Sequence, residues 1–261
     1  MDAPMDNLIE LDFYDACEGS RACPVCVLCE RAAERYFTSF LYENVNDSEG
    51  AERLAQSFGF CRAHAAQIVR QDWSGQKDRL GVALAYERVL GHWEDILRRH
   101  PAGVEVGPEG LLGMASRLLH PHSSPGAYLA ASLTPTAACP ACEHMETYED
   151  RALSQVAELL ESDPAAEAWT WLSDSFGLCL PHLRRLIARL RSPGAVQALR
   201  QMQMERISSV RSRLREYIRK QDYRFQGEGI TADEAVSWRD AALLAAGSRR
   251  GDDYDENSDS F

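Results

Sequence analysis

Apolar residues along this chain return every third or fourth position and almost nowhere every second. Leu28, Ala32, Tyr36, Phe37, Phe40 and Leu41 fall on one helical face and predict a helix from Cys26 through Tyr42. Asn44 to Asp47 reads as a turn. Asp47 or Ser48 caps the next helix, which Gly59 stops because glycine tolerates a left-handed backbone. Cys61 opens a short helix, and a longer one runs from Gln76 to Arg99, ended by Pro101. The stretch 101–138 is broken by prolines and glycines, with one short helix expected over Glu109–Leu119.

The second half repeats this outline. A helix starts at Cys142, the next runs from Asp163-Pro164 to Gly177, and a third opens at Cys179. A long helix covers Ala195–Lys220, and a last one Asp233–Ala246. Residues 1–20 read as a lead-in with a short apolar patch, and the acidic tail 248–261 reads as disordered. No alternating β-branched run and no Asn-Gly or Asp-Gly hairpin turn appears. The expectation is an all-α fold of two similar helical half-modules packed through long helices. The repeats span 1–100 and 136–247, joined by a linker over 101–135.

The repetition carries the chemistry. Each half reads C-P-x-C, a gap, then S-F-G-x-C-x-x-H. The first copy holds Cys23, Cys26, Cys61 and His64, and the second Cys139, Cys142, Cys179 and His182. Three thiols and one imidazole form a ligand set that tetrahedral Zn2+ prefers. A helical hairpin between the ligand pairs would bring each copy's four residues together, so each half-module is expected to be pinned by its own zinc. With four protein ligands the coordination is closed, which favours a structural ion. Two rival readings of the cysteines are a thiol redox pair in each C-P-x-C and an iron–sulfur cluster, for which four cysteines are commoner. Cys17 and Cys29 fall outside the pattern; Cys29 aligns with Met145 and reads as a packing residue, with transient replacement of a ligand as the alternative. His92, His100, His120, His122 and His144 have no counterpart between the copies and read as surface.

Charge narrows the partners. The formal net charge of −12 opposes broad binding to nucleic acid or anionic lipid. The cluster Arg206, Arg211, Arg213, Arg215, Arg219, Lys220 and Arg224 is read as a solvated face balanced by acids, with an anion, acidic-partner or nucleic-acid contact surface as the rival. No apolar run is long enough for a membrane span, and the first residues lack the order of a signal peptide, so a cytoplasmic protein is expected. No P-loop, dinucleotide-binding glycine pattern, G-x-S-x-G or H-E-x-x-H occurs. A non-enzymatic, zinc-stabilised interaction or adaptor module with a protein partner is the first reading. A thiol-based redox sensor or oxidoreductase is the second, and a nucleic-acid-associated regulator the third.

Beyond the C-P-x-C and C-x-x-H motifs, Tyr42 to Asp47, Gly59-Phe60-Cys61, Asp222-Tyr223-Arg224-Phe225 and Trp238 complete a recognisable pattern. Over residues 20–247 the chain resembles an uncharacterised prokaryotic family known only as a domain of unknown function. The resemblance implies the same boundaries and the same ligand set, and no activity.

Overall fold

Helix dominates throughout the computed structural model, which describes residues 6–18, 20–41, 47–74, 80–99, 125–162 and 166–248. Among the described residues there are α-helices, a π-helical turn at residues 40–41, short turns and no strand. The helices are α1 (Asp6–Cys17), α2 (Pro24–Ser39), α3 (Ser48–Gln56), α4 (Arg62–Ser74), α5 (Leu80–Arg99) and α6 (Pro125–Ser132). They continue as α7 (Pro140–Glu161), α8 (Ala166–Asp174), α9 (Leu180–Ile187), α10 (Pro193–Lys220), α11 (Ala232–Ala235) and α12 (Ser237–Ala246). A 3-10 turn covers Tyr223–Glu228.

Local chemistry sets several of the ends. Asp47 accepts the Gly50 N–H at 2.8 Å and starts α3. Ser192 accepts the Ala195 N–H and Pro193 follows it, an opening that suits the 28-residue α10. Thr231 and Glu234 form a reciprocal capping box on α11.

The chain divides into two compact units, one of Met1–Ala33 with Met145–Phe261 and the other of Glu34–His144. The divisions fall inside α2 and inside α7. In the first unit Phe13, Val25, Leu28, Leu153, Leu160, Leu172, Leu178, Leu186 and Leu199 form the core. Helix α1 packs on α8, where Tyr14 meets Trp171 edge-on at 5.2 Å. Helix α12 packs on α9 and α10. The second unit is built around Phe37, Phe40, Leu54, Phe60, Ile68 and Val89. The Phe60 ring meets Phe37 at 5.3 Å and Phe40 at 5.2 Å, both edge-on.

Three local expectations change. The lead-in is helix α1, because Phe13, Ala16 and Cys17 lie three and four residues apart and bury one face. The expected Asp233–Ala246 helix breaks at Val236, where the buried Ser237 hydroxyl donates to the Glu234 carbonyl at 2.7 Å. The linker holds α6, which the proline-rich composition concealed. The expected helix Glu109–Leu119, the turn residues Asn44–Asn46, the helix start at Asp163-Pro164 and the tail from residue 249 lie outside the described residues. Among the described residues no helix is long and apolar enough to cross a membrane.

Candidate metal centres

Each of the four Cys-led motifs begins a helix. Cys23 precedes α2, Cys61 precedes α4, Cys139 precedes α7 and Cys179 is the N-terminal cap of α9. Their carbonyls accept the first helical bonds, from Val27 at 3.1 Å, Ala65 at 2.8 Å, Glu143 at 3.2 Å and Leu183 at 2.8 Å. The second ligand of each motif therefore sits at the third helical position, on the same side as the cap. Unpaired N–H groups and the helix dipole there favour thiolate over thiol. Proline at the start of α2 and α7 fits a position whose N–H needs no partner.

Two such helix starts meet in each unit. In the first, His182 Nδ1 lies 3.4 Å from Cys23 Sγ, 3.4 Å from Cys26 Sγ and 3.2 Å from Cys179 Sγ. The Cys26 and Cys179 sulfurs are 3.8 Å apart. In the second, His64 Nδ1 lies 3.4 Å from Cys61 Sγ, 3.7 Å from Cys139 Sγ and 3.4 Å from Cys142 Sγ. The Cys61 and Cys142 sulfurs are 3.6 Å apart. Both quartets are arranged so that they can hold a metal ion.

Quartet membership corrects one expectation. Pairing within each repeat puts Cys23 and Cys26 beside Cys61 and His64, and Cys139 and Cys142 beside Cys179 and His182. The C-P-x-C of each copy stands instead with the C-x-x-H of the other. Helix length supplies the reason. The 16 residues of α2 span about 24 Å, whereas the nine of α3 span about 14 Å. In the second copy α7 spans about 33 Å over 22 residues and α8 about 14 Å over nine. In each copy the second helix is shorter than the first and cannot by its own length retrace it.

The turn before each C-x-x-H explains the Ser-Phe-Gly signature. The buried Ser57 hydroxyl donates to the Leu54 carbonyl at 3.0 Å, and Ser175 does the same to Leu172 at 2.8 Å. Gly59 and Gly177 hold φ of +90° and +89°. A Cβ on Gly177 would lie 3.1 Å from Arg206 Cγ and 3.4 Å from Gln203 Oε1. Gly177→Ala is therefore expected to cost about 1–2 kcal/mol of unfolding free energy from left-handed strain alone, read from a denaturant midpoint. In the second unit the Thr136 N–H donates to the Gln56 carbonyl at 3.0 Å, tying the approach to Cys139 to the end of α3.

The first quartet has supports that no motif announced. His182 Nε2 faces Glu149 Oε1 at 2.8 Å, and Glu149 also pairs with Arg185. Arg185 and Arg189 each reach Asp150 at 2.6 Å. The buried Gln203 side chain accepts the Leu178 N–H at 3.1 Å and donates to the Leu178 carbonyl at 2.8 Å, fixing the residue before Cys179. Gly247, at φ +83°, closes α12 over the sulfurs. A Cβ there would sit 3.2 Å from both Cys26 Sγ and Cys179 Sγ.

Electrostatics within the quartets reflect this crowding. Burial opposes charge on His182, but Cys179, Cys26 and Glu149 outweigh it and push its pKa up to about 11. Cys179 and Cys23 hold Cys26 far below the ordinary thiol range, while burial drives Cys23 well above it. Hydrogen bonding to His182 lowers Glu149. At Cys61 burial is outweighed by the His64 backbone N–H and the Cys142 sulfur, and the pKa falls. Cys142 goes the other way, up to about 12, through partial desolvation and the Cys61 sulfur.

The remaining cysteines pack. Cys17 is buried in the first unit's core and Cys29 packs against it, with burial pushing each thiol up to about 12. His92 is half-buried and lies against the Phe58 ring at 5.8 Å, whereas His144 is exposed, as expected, with its ring 4.7 Å from that of Tyr36. His100, His120 and His122 lie outside the described residues.

The chain belongs to a family described as a family of unknown function (DUF6062), which it matches over residues 5–239. It is 24% identical over 229 residues to an "Uncharacterized 23.9 kDa protein in xynA 3'region" of Caldicellulosiruptor sp. (strain Rt8B.4). That alignment covers 87% of this chain and 96% of the relative. No solved structure matches the chain.

Proposed function

We propose, taking membership of that family as the premise, that this protein is a two-zinc helical module in which both ions are structural. The observation that carries the reading is the size of the quartets. A tetrahedron with bonds of about 2.3 Å to sulfur and about 2.0–2.1 Å to nitrogen has nitrogen–sulfur edges of about 3.5 Å and sulfur–sulfur edges of about 3.8 Å. The nitrogen–sulfur edges here run from 3.2 to 3.7 Å. Of the sulfur–sulfur edges, Cys26–Cys179 is 3.8 Å and Cys61–Cys142 is 3.6 Å, and all ligand atoms of each quartet lie within 4.8 Å of one another. These lengths suit one ion per quartet. An iron–sulfur cluster interposes several irons and needs its ligand sulfurs farther apart.

Cysteine thiolate and neutral imidazole favour Zn2+, and four protein ligands leave no position for a reacting water. The reading is accordingly non-enzymatic, an interaction or adaptor module. The net charge of −12 favours a basic protein partner. The basic end of α10 is largely engaged within the chain, which weighs against a nucleic-acid role. Arg213 pairs with Asp240 at 3.1 Å, Lys220 with Glu234 at 2.8 Å, and Arg219 with Glu216 at 2.8 Å and Glu228 at 2.5 Å.

Metal analysis of protein made without added metal tests the reading. Two zinc ions per chain are expected, and iron with acid-labile sulfide, or no metal, would overturn it. His64→Ala is expected to lower the count to one ion per chain while the His182 quartet keeps its own.

A further inference from the structure

The two quartets share a ligand set but not a setting. All four residues of the first are buried. It lies beneath Gly247 at the end of α12, and Glu149 holds its imidazole. None of the four residues of the second is buried, and Cys142 is exposed. The Cys61 and Cys142 sulfurs, 3.6 Å apart, belong to two separate helix starts 81 residues apart in the chain.

We infer that the second quartet is a peroxide-responsive thiol site, in which Cys142 is oxidised, Cys61 closes a disulfide onto it and the metal is released. The inference rests on the two-zinc reading. A metal-bound thiolate remains a nucleophile, and access then decides which one reacts. The Cys142 sulfur attacks one peroxide oxygen. An S–O bond forms, the O–O bond breaks, and the departing hydroxide takes a proton to become water. The Cys61 thiolate then attacks the Cys142 sulfenic acid. An S–S bond forms, the S–O bond breaks, and a second hydroxide leaves as water after taking a second proton. Two thiolates lose two electrons and one hydrogen peroxide gains them. Cys139 and His64 alone hold a zinc ion too weakly to keep it. The first quartet reacts more slowly because its sulfurs are covered.

The test uses the full chain with its zinc content measured beforehand. That initial count judges the two-zinc reading before any oxidant is added. Hydrogen peroxide is then added in substoichiometric steps while a chromogenic chelator records released zinc, and differential alkylation with mass spectrometry maps the oxidised cysteines. Release of one zinc per chain before the other is expected, with a Cys61–Cys142 disulfide and alkylatable Cys23, Cys26 and Cys179 after denaturation. The early phase should be at least about tenfold faster than the late one, and thiol reductant with zinc should reverse it. Simultaneous release of both ions, or first oxidation at Cys23, Cys26 or Cys179, would overturn the inference. A disulfide from Cys142 to Cys139 would overturn the role given to Cys61. Cys142→Ser should leave one zinc ion that the same peroxide dose does not release. The wild-type mapping decides the matter even where that variant folds poorly.

Discussion

Cys23→Ser combined with Cys179→Ser is expected to remove one zinc ion per chain, whereas Cys23→Ser combined with Cys61→Ser removes both. The first pair strikes a single quartet twice and the second pair strikes each quartet once. Pairing within each sequence repeat gives the opposite pattern, so metal counts after dialysis against a mild chelator decide between them. The effect on stability is large. A structural zinc contributes on the order of 10 kcal/mol of apparent folding free energy, comparable with the whole net stability of a domain. Loss of cooperative near-ultraviolet dichroism is expected from Cys23→Ser with Cys179→Ser in the unit that contains Trp169, Trp171 and Trp238.

Glu149→Gln is expected to weaken zinc binding at the first quartet by about 10–100-fold and to leave the second unchanged. The carboxylate accepts from His182 Nε2, which leaves Nδ1 facing the three sulfurs at 3.2–3.4 Å. Glutamine keeps the size but loses the charge that favours this tautomer and strengthens the imidazole as a donor. It also weakens the link to Arg185, which Asp150 still holds. Competition with a chelator of known affinity measures the change. Equal loss at both quartets would show that the substitution acts through folding and not through His182.

The ligand residues were legible because the chain states them twice, and the all-α class because apolar positions keep helical spacing throughout. The pairing was not legible. Two copies of one pattern are equally consistent with self-pairing and with exchange, and the pairing appears only once the four helix starts are placed in space. The supports of the first quartet were silent for a different reason. Aligned on C-P-x-C, Glu149 falls opposite Ala33, and aligned on C-x-x-H, Gln203 falls opposite Ala85. Neither residue repeats, so repetition could not flag it. Gly247 looked like an ordinary helix stop, and its approach to two sulfurs comes from packing between elements distant in sequence.

Exchange between the copies also orders events during synthesis. Cys23 waits for His182, 159 residues later, before its quartet is complete. At typical elongation rates that interval is roughly 10–30 s. Meanwhile Cys23, Cys26, Cys61 and His64 emerge from the ribosome first, and together they already make up three thiols and an imidazole. A nascent chain that captured zinc with that combination would have to surrender it before either native centre could assemble.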